Sequence, residues 1–200
     1  MTRTRTALLL TLALATTPAL AQQDVSKVNG SVSADAGQAY GDLETVNGSV
    51  SIAAGATVED ASTVNGSITV GDKAQAASLE TVNGAIRIGK DVQVRKDVET
   101  VNGAIGLVGT QLAGGIETVN GDITVGIGSH VKGGIKVEKP RGWSIKPRRD
   151  PRIIIGPNAV VEGPLVFERP VTLYVHTSAR IGAVTGATAK PFSTDTAPTE

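Results

Sequence analysis

The sequence predicts an all-β fold, a single-stranded parallel β-solenoid (β-helix) of about eight coils with 18–19 residues per coil. Three observations predict it. Val-Asn-Gly recurs six times, with its asparagine at Asn29, Asn47, Asn65, Asn83, Asn102 and Asn120, at spacings of 18, 18, 18, 19 and 18. Apolar and polar residues alternate after each copy, as in a half-buried strand. Aromatic residues are only 2% of the chain, so its interior must be narrow and filled by Val, Ile, Leu and Ala. A helical repeat needs two helices and usually more than about 30 residues.

Residues 1–21 read as a secretory signal peptide. Arg3 and Arg5 form a basic start, Ala7 to Ala15 is an apolar run too short to span a bilayer, and Ala19-Leu20-Ala21 is a small-x-small cleavage site. The chain is therefore expected to be exported to the periplasm or cell surface of a bacterium, with no membrane span after cleavage. The charge is balanced, with 19 basic and 19 acidic residues, which argues against a body built to bind nucleic acid. With no cysteine, disulfides, thiolate metal sites and Cys nucleophiles are excluded.

Residues 22–138 read as six coils. Three residues after each asparagine come Val32, Val50, Ile68, Ile86, Ile105 and Ile123; five after come Ala34, Ile52, Val70, Ile88, Leu107 and Val125. Four before come Val25, Leu43, Ala61, Leu79, Val98 and Ile116, a third inward row. Pairs such as Ala56/Val58 and Val92/Val94 supply a further short strand. Asn-Gly marks the turn, since both residues tolerate positive φ. The stacked asparagines read as a structural turn ladder, with side-chain amides bonding from coil to coil. One coil cannot repay its own ordering entropy, so coils must stack.

Residues 139–152 break the pattern with a basic, Pro-rich loop. Residues 153–186 resume it as C-terminal coils in which Phe167 and Tyr174 could plug the open end, and 187–200 read as a disordered tail. The Val-Asn-Gly-Ser-Val/Ile repeat resembles bacterial putative-adhesin β-solenoid domains. Ile153 to Gly186, with Ile155-Gly156-Pro157-Asn158-Ala159, resembles the bactofilins, a polymer-forming cytoskeletal family. That second resemblance implies a right-handed β-helix that polymerises end to end without nucleotide. Bactofilins are usually cytoplasmic, and the export signal departs from this.

Several residue sets invite chemistry. Acidic residues recur beside the inward row: Asp42, Glu44, Asp60, Glu80, Asp97, Glu99 and Glu117. Stacked about 4.8 Å apart, they read either as a cation stripe, for Ca²⁺ with hard oxygen ligands, or as a solvated face that discourages lateral aggregation. The basic loop, with Lys139, Arg141, Trp143, Lys146, Arg148, Arg149 and Arg152, could bind anionic polysaccharide or envelope lipid, fold back on the acidic stripe, or be a solvated insertion. Gly84 to Asp91 approaches a phosphate-binding loop, but Asp91 stands where Ser or Thr would hold Mg²⁺, and the stretch is one copy of the repeat.

No catalytic residue, resident metal or cofactor is expected, because no triad or ligand spacing is present. The expected function is an exported, non-catalytic structural or adhesin-like protein. It would act by self-association, through the exposed N-terminal coil, and by surface contacts. The alternative is a binding module for anionic polysaccharide or lipid through the basic loop, and a remote third is a polysaccharide lyase or hydrolase.

Overall fold

The computed structural model describes residues 22–140 and 149–198. The expected signal peptide and four loop residues, Arg141, Trp143, Lys146 and Arg148, lie outside the described residues. The chain winds as a parallel β-solenoid of nine rows. Two sheets have nine strands each and the third has six. Sheet I runs from Gln23–Asn29 to Val184–Thr185, sheet II from Val32–Ala34 to Ala189–Phe192, and sheet III from Gln75–Ala76 to Arg180–Ile181. Isolated bridges Ala39 to Thr57 and Thr57 to Gln75 continue the third side through the first coils.

The register follows the repeat. Val25 lies beside Leu43, Leu43 beside Ala61, and Ala61 beside Leu79, while Val50 lies beside Ile68 and Ile68 beside Ile86. The expected inward rows are buried, Leu43, Val50, Ile68, Leu79, Ile86, Val98, Ile116 and Ile123 exposing none of their surface, except that Val25 in the first coil is only partly buried. Their alternation with exposed neighbours gives the buried-exposed-buried pattern of Val50–Ile52 and Ile68–Val70.

One inward row escaped the sequence reading. Thr45, Thr63, Thr81, Thr100 and Thr118, two residues before each asparagine after the first, are buried. The hydroxyls of Thr45, Thr63 and Thr81 donate to the carbonyls of Gly30, Gly48 and Gly66 in the preceding coil at 2.9, 2.8 and 2.9 Å. Each therefore satisfies its own buried hydroxyl while tying one turn to the next. Thr110 and Ser129 are likewise buried, and the Thr110 amide donates to the Ser129 hydroxyl at 3.3 Å.

The reason for glycine in the turn also differs from the expectation. Gly30 has φ +102°, but Gly66 is outside the left-handed region. A β-carbon at Gly66 would instead overlap the Gly48 carbonyl oxygen of the coil before. Close approach of stacked turns, rather than positive φ, excludes side chains there.

The C-terminal third departs from the expected boundaries. Ile135–Val137 already belongs to a seventh row of sheet I, and Arg152–Ile155 is that row's strand in sheet II. The described residues on either side of the basic loop thus belong to one coil, joining the two sheets that Val-Asn-Gly joins in the coil before. The tail begins later than expected. Ala189–Phe192 pairs with Thr172–His176, and Phe192 is buried. Tyr174 does not plug the end. It shares the outward row of Ile154 and Lys190, under Arg152 at 5.1 Å and Lys190 at 5.6 Å from its ring centre. Phe167 does enter the core.

Val50→Asp would place a carboxylate in the dry interior with no partner. The expected loss is about 4 kcal/mol or more, read as collapse of the β-type circular dichroism melt. Native stability in that variant would mean that the assigned inward register is wrong.

Candidate functional site

Three surface features carry the candidate chemistry: the asparagine ladder, the acidic rows and the basic corner. Each is positioned by coil stacking, which puts a residue of the Val-Asn-Gly coils over its counterpart 18 or 19 residues on, and 30 on across the basic loop, as from Ile123 to Ile153.

The ladder is continuous. The side-chain amides of Asn47, Asn65, Asn83, Asn102 and Asn120 each donate to the side-chain carbonyl of the preceding asparagine at 3.0–3.1 Å. It has a direction, so one acceptor is left at Asn120. Arg169 takes it. Its Nη1 donates to Asn120 Oδ1 at 2.7 Å and to the Val119 carbonyl at 3.0 Å, and its side chain is only 7% exposed. Sequence reasoning missed Arg169 because it lies 49 residues beyond its partner, outside the repeat. It stands in for the asparagine that the seventh coil lacks.

The two acidic rows behave differently. The aspartates are spent on backbone. Asp24 accepts from the Asp42 amide at 3.0 Å, Asp42 from the Asp60 amide at 3.2 Å, and Asp97 from the Gly115 amide at 2.7 Å. Asp60 accepts from the Ser78 hydroxyl at 2.7 Å, and that bond, with Lys96 nearby, holds its pKa below the usual carboxylate value. Glu44 faces Ser26 and Ser62 rather than another acid. Glu80, Glu99 and Glu117, in contrast, are direct neighbours in three successive coils. Partial burial first, and the charges of Glu117 and Glu80 next, push the Glu99 pKa up. Lys136 ends this row, with Nζ 3.9 Å from Glu117 and 2.5 Å from Glu138. Among the described residues, no group of three or more His, Asp or Glu side chains is arranged to hold a metal ion. The geometry brings three glutamates together and leaves the aspartates as coil-to-coil brackets.

The described members of the basic loop are partly engaged. Arg149 forms a two-point pair with Asp122, at 2.8 and 2.5 Å. The Arg152 amide also donates to Asp122 at 2.9 Å. Burial works against the Asp122 charge, but these donors outweigh it and its pKa is lowered. The Lys139 amide donates to Glu168 at 3.2 Å. Arg149 therefore anchors the loop's end to the sixth coil, and Arg152 turns toward the Tyr174 ring.

No family model matches the chain, and neither a curated protein nor a solved structure matches it. Among the described residues, no helix is long and apolar enough to cross a membrane.

Two measurements probe this geometry. Asn65→Ala removes two ladder bonds and Asn29→Ala only one. The first should cost about 1–2 kcal/mol and the second roughly half as much in urea melts. Equal costs would mean that the ladder adds nothing beyond each turn. Glu99 has a raised folded-state pKa, so its ionised form opposes folding. That penalty is fully present above the raised folded value and is relieved as pH falls toward the ordinary carboxylate value. Glu99→Gln should thus stabilise the chain at pH 7 by about 0.5 kcal/mol, allowing for solvent screening. The gain should disappear below pH ~4 in melts repeated across pH.

Proposed function

We propose that this chain is an exported, non-catalytic structural or adhesin-like β-solenoid protein that acts by self-association and surface contacts. The observation that carries the reading is the strand Gln23–Asn29. It is the first of the nine in sheet I, and among the described residues its only strand neighbour is Tyr40–Asn47. Removal of residues 1–21 as an export signal leaves that row of backbone donors and acceptors open, and open edges pair with other chains. The strand contains no proline, and its Val28 is 67% exposed.

The opposite end is less suited to pairing. Its edge strand Ala189–Phe192 includes Pro191, which has no amide hydrogen, and Lys190, a charge that discourages further pairing. These features support association through the N-terminal edge, head to head. The alternative, an anion-binding module, draws support from Arg152, which makes no ion pair among the described residues.

Sedimentation velocity on residues 22–200, over a concentration series with and without Ca²⁺, tests the reading. The expected result is a species that grows with concentration and is lost when a proline replaces Ser26 in the edge strand. A monomer at every concentration, with or without Ca²⁺, overturns it.

A further inference from the structure

The outward face of sheet II changes character after the sixth coil. It carries Ser33, Ser51, Thr69, Arg87 and Thr124 in the earlier coils, and then Ile154 and Tyr174. Residues 193–198 return across this face, with the Pro198 carbonyl accepting from Arg152 Nη2. Between the returning segment and the sheet lies a groove of about 440 Å³. Ile127, Ile154, Pro157 and Phe192 line it, with Arg152 and Asp195 as its charged groups. Ile127 is 56% exposed, a large apolar side chain left facing solvent at the groove.

We propose that this groove binds a small anionic amphiphile, with its aliphatic chain on Ile127, Ile154, Pro157 and Phe192 and its acidic headgroup on Arg152. The groove falls in the size range of small-molecule sites, and its lining is mainly apolar with few polar groups, as such sites are built. The charge argument rests on Arg152. Its guanidinium has the Tyr174 ring and the Pro198 carbonyl as partners but no carboxylate within ion-pair distance among the described residues. Its Nε is buried and has no hydrogen-bond partner. Lys190, on the same ring, adds a second positive charge. Asp122 feels the Arg152 charge only from beyond ion-pair distance, so a carboxylate or phosphate headgroup would supply the direct contact the guanidinium lacks, and a charge-assisted bond to guanidinium is among the stronger polar contacts. Asp195 repels the same headgroup, so the ligand is oriented with its acid at the arginine. An apolar floor of this kind does not suit a polysaccharide, whose hydroxyls would lose water without gaining partners.

The site lies at the opposite end from Gln23–Asn29 and is independent of self-association. Calorimetric titration of residues 22–200 with decanoate, decyl phosphate and decanol, each below its micelle concentration, tests it. Saturable one-site binding of an acid is expected, tighter than for decanol. Preference between decanoate and decyl phosphate tells a fatty-acid carboxylate from a lipid phosphate. Arg152→Gln should weaken binding of the acids roughly tenfold while sparing decanol. Ile127→Glu, at an exposed position that should not disturb folding, should abolish binding of all three, and Asp195→Asn should tighten the acids. Absence of saturable binding, or binding of the acids that neither Arg152→Gln nor Ile127→Glu changes, overturns the proposal. Circular dichroism of each variant confirms that the fold is retained.

Discussion

Stacking at about 4.8 Å is the constraint from which the rest of this molecule follows. Each side chain lies over its counterpart in the next coil, so a position can recur only if its residue tolerates a copy of itself at that distance. Asparagine does so by donating through one end of its amide and accepting through the other. Threonine does so by turning its hydroxyl to the glycine carbonyl of the coil before. Branched aliphatic side chains do so by filling the narrow interior without polar groups to satisfy. Glutamate tolerates stacking least well. The raised Glu99 pKa and the placement of Lys136 after Glu117 show where the repeat strains against its own rule.

Most of the fold was legible in the sequence because the repeat makes each coil's neighbours predictable. The inward rows beginning at Val32, Ala34 and Leu43 could be assigned from alternation alone, and the asparagine ladder from its constant spacing. The logic fails where neighbours stop being alike. Arg169 caps Asn120 from a distant coil, and nothing in the period announces it. The basic segment looked like a break between coils because its composition changes there, yet its flanks Ile135–Val137 and Arg152–Ile155 keep the register of one row. Tyr174 reads as a residue that could plug the open end, whereas cations on the outer face cover its ring. The threonine row is present in the sequence as Thr-Val-Asn-Gly, but its burial is not legible there, since a buried hydroxyl needs an acceptor that only the stacked coil supplies. Of the candidate sites, the acidic residues could be found by counting. Their division into aspartate brackets and a glutamate row could not, because it depends on which backbone amide each carboxylate meets.

The two ends of the solenoid are chemically unequal, and the inequality bears on assembly. Each ladder amide donates toward the N-terminal end, so Asn29 keeps a donor that meets no acceptor among the described residues, whereas the last acceptor, on Asn120, is closed by Arg169. A second copy stacked head to tail would set Asn29 over the corner between Val184–Thr185 and Ala189–Phe192, where Gly186, Ala187 and Thr188 offer no side-chain amide. It would also meet Pro191 in place of a ladder donor. A copy stacked head to head meets a second Asn29, and two carboxamides can exchange hydrogen bonds. The direction built into one amide row thus disfavours an open filament of like-oriented chains and favours a symmetric pair, leaving the groove around Ile127 and Arg152 at the two outer ends.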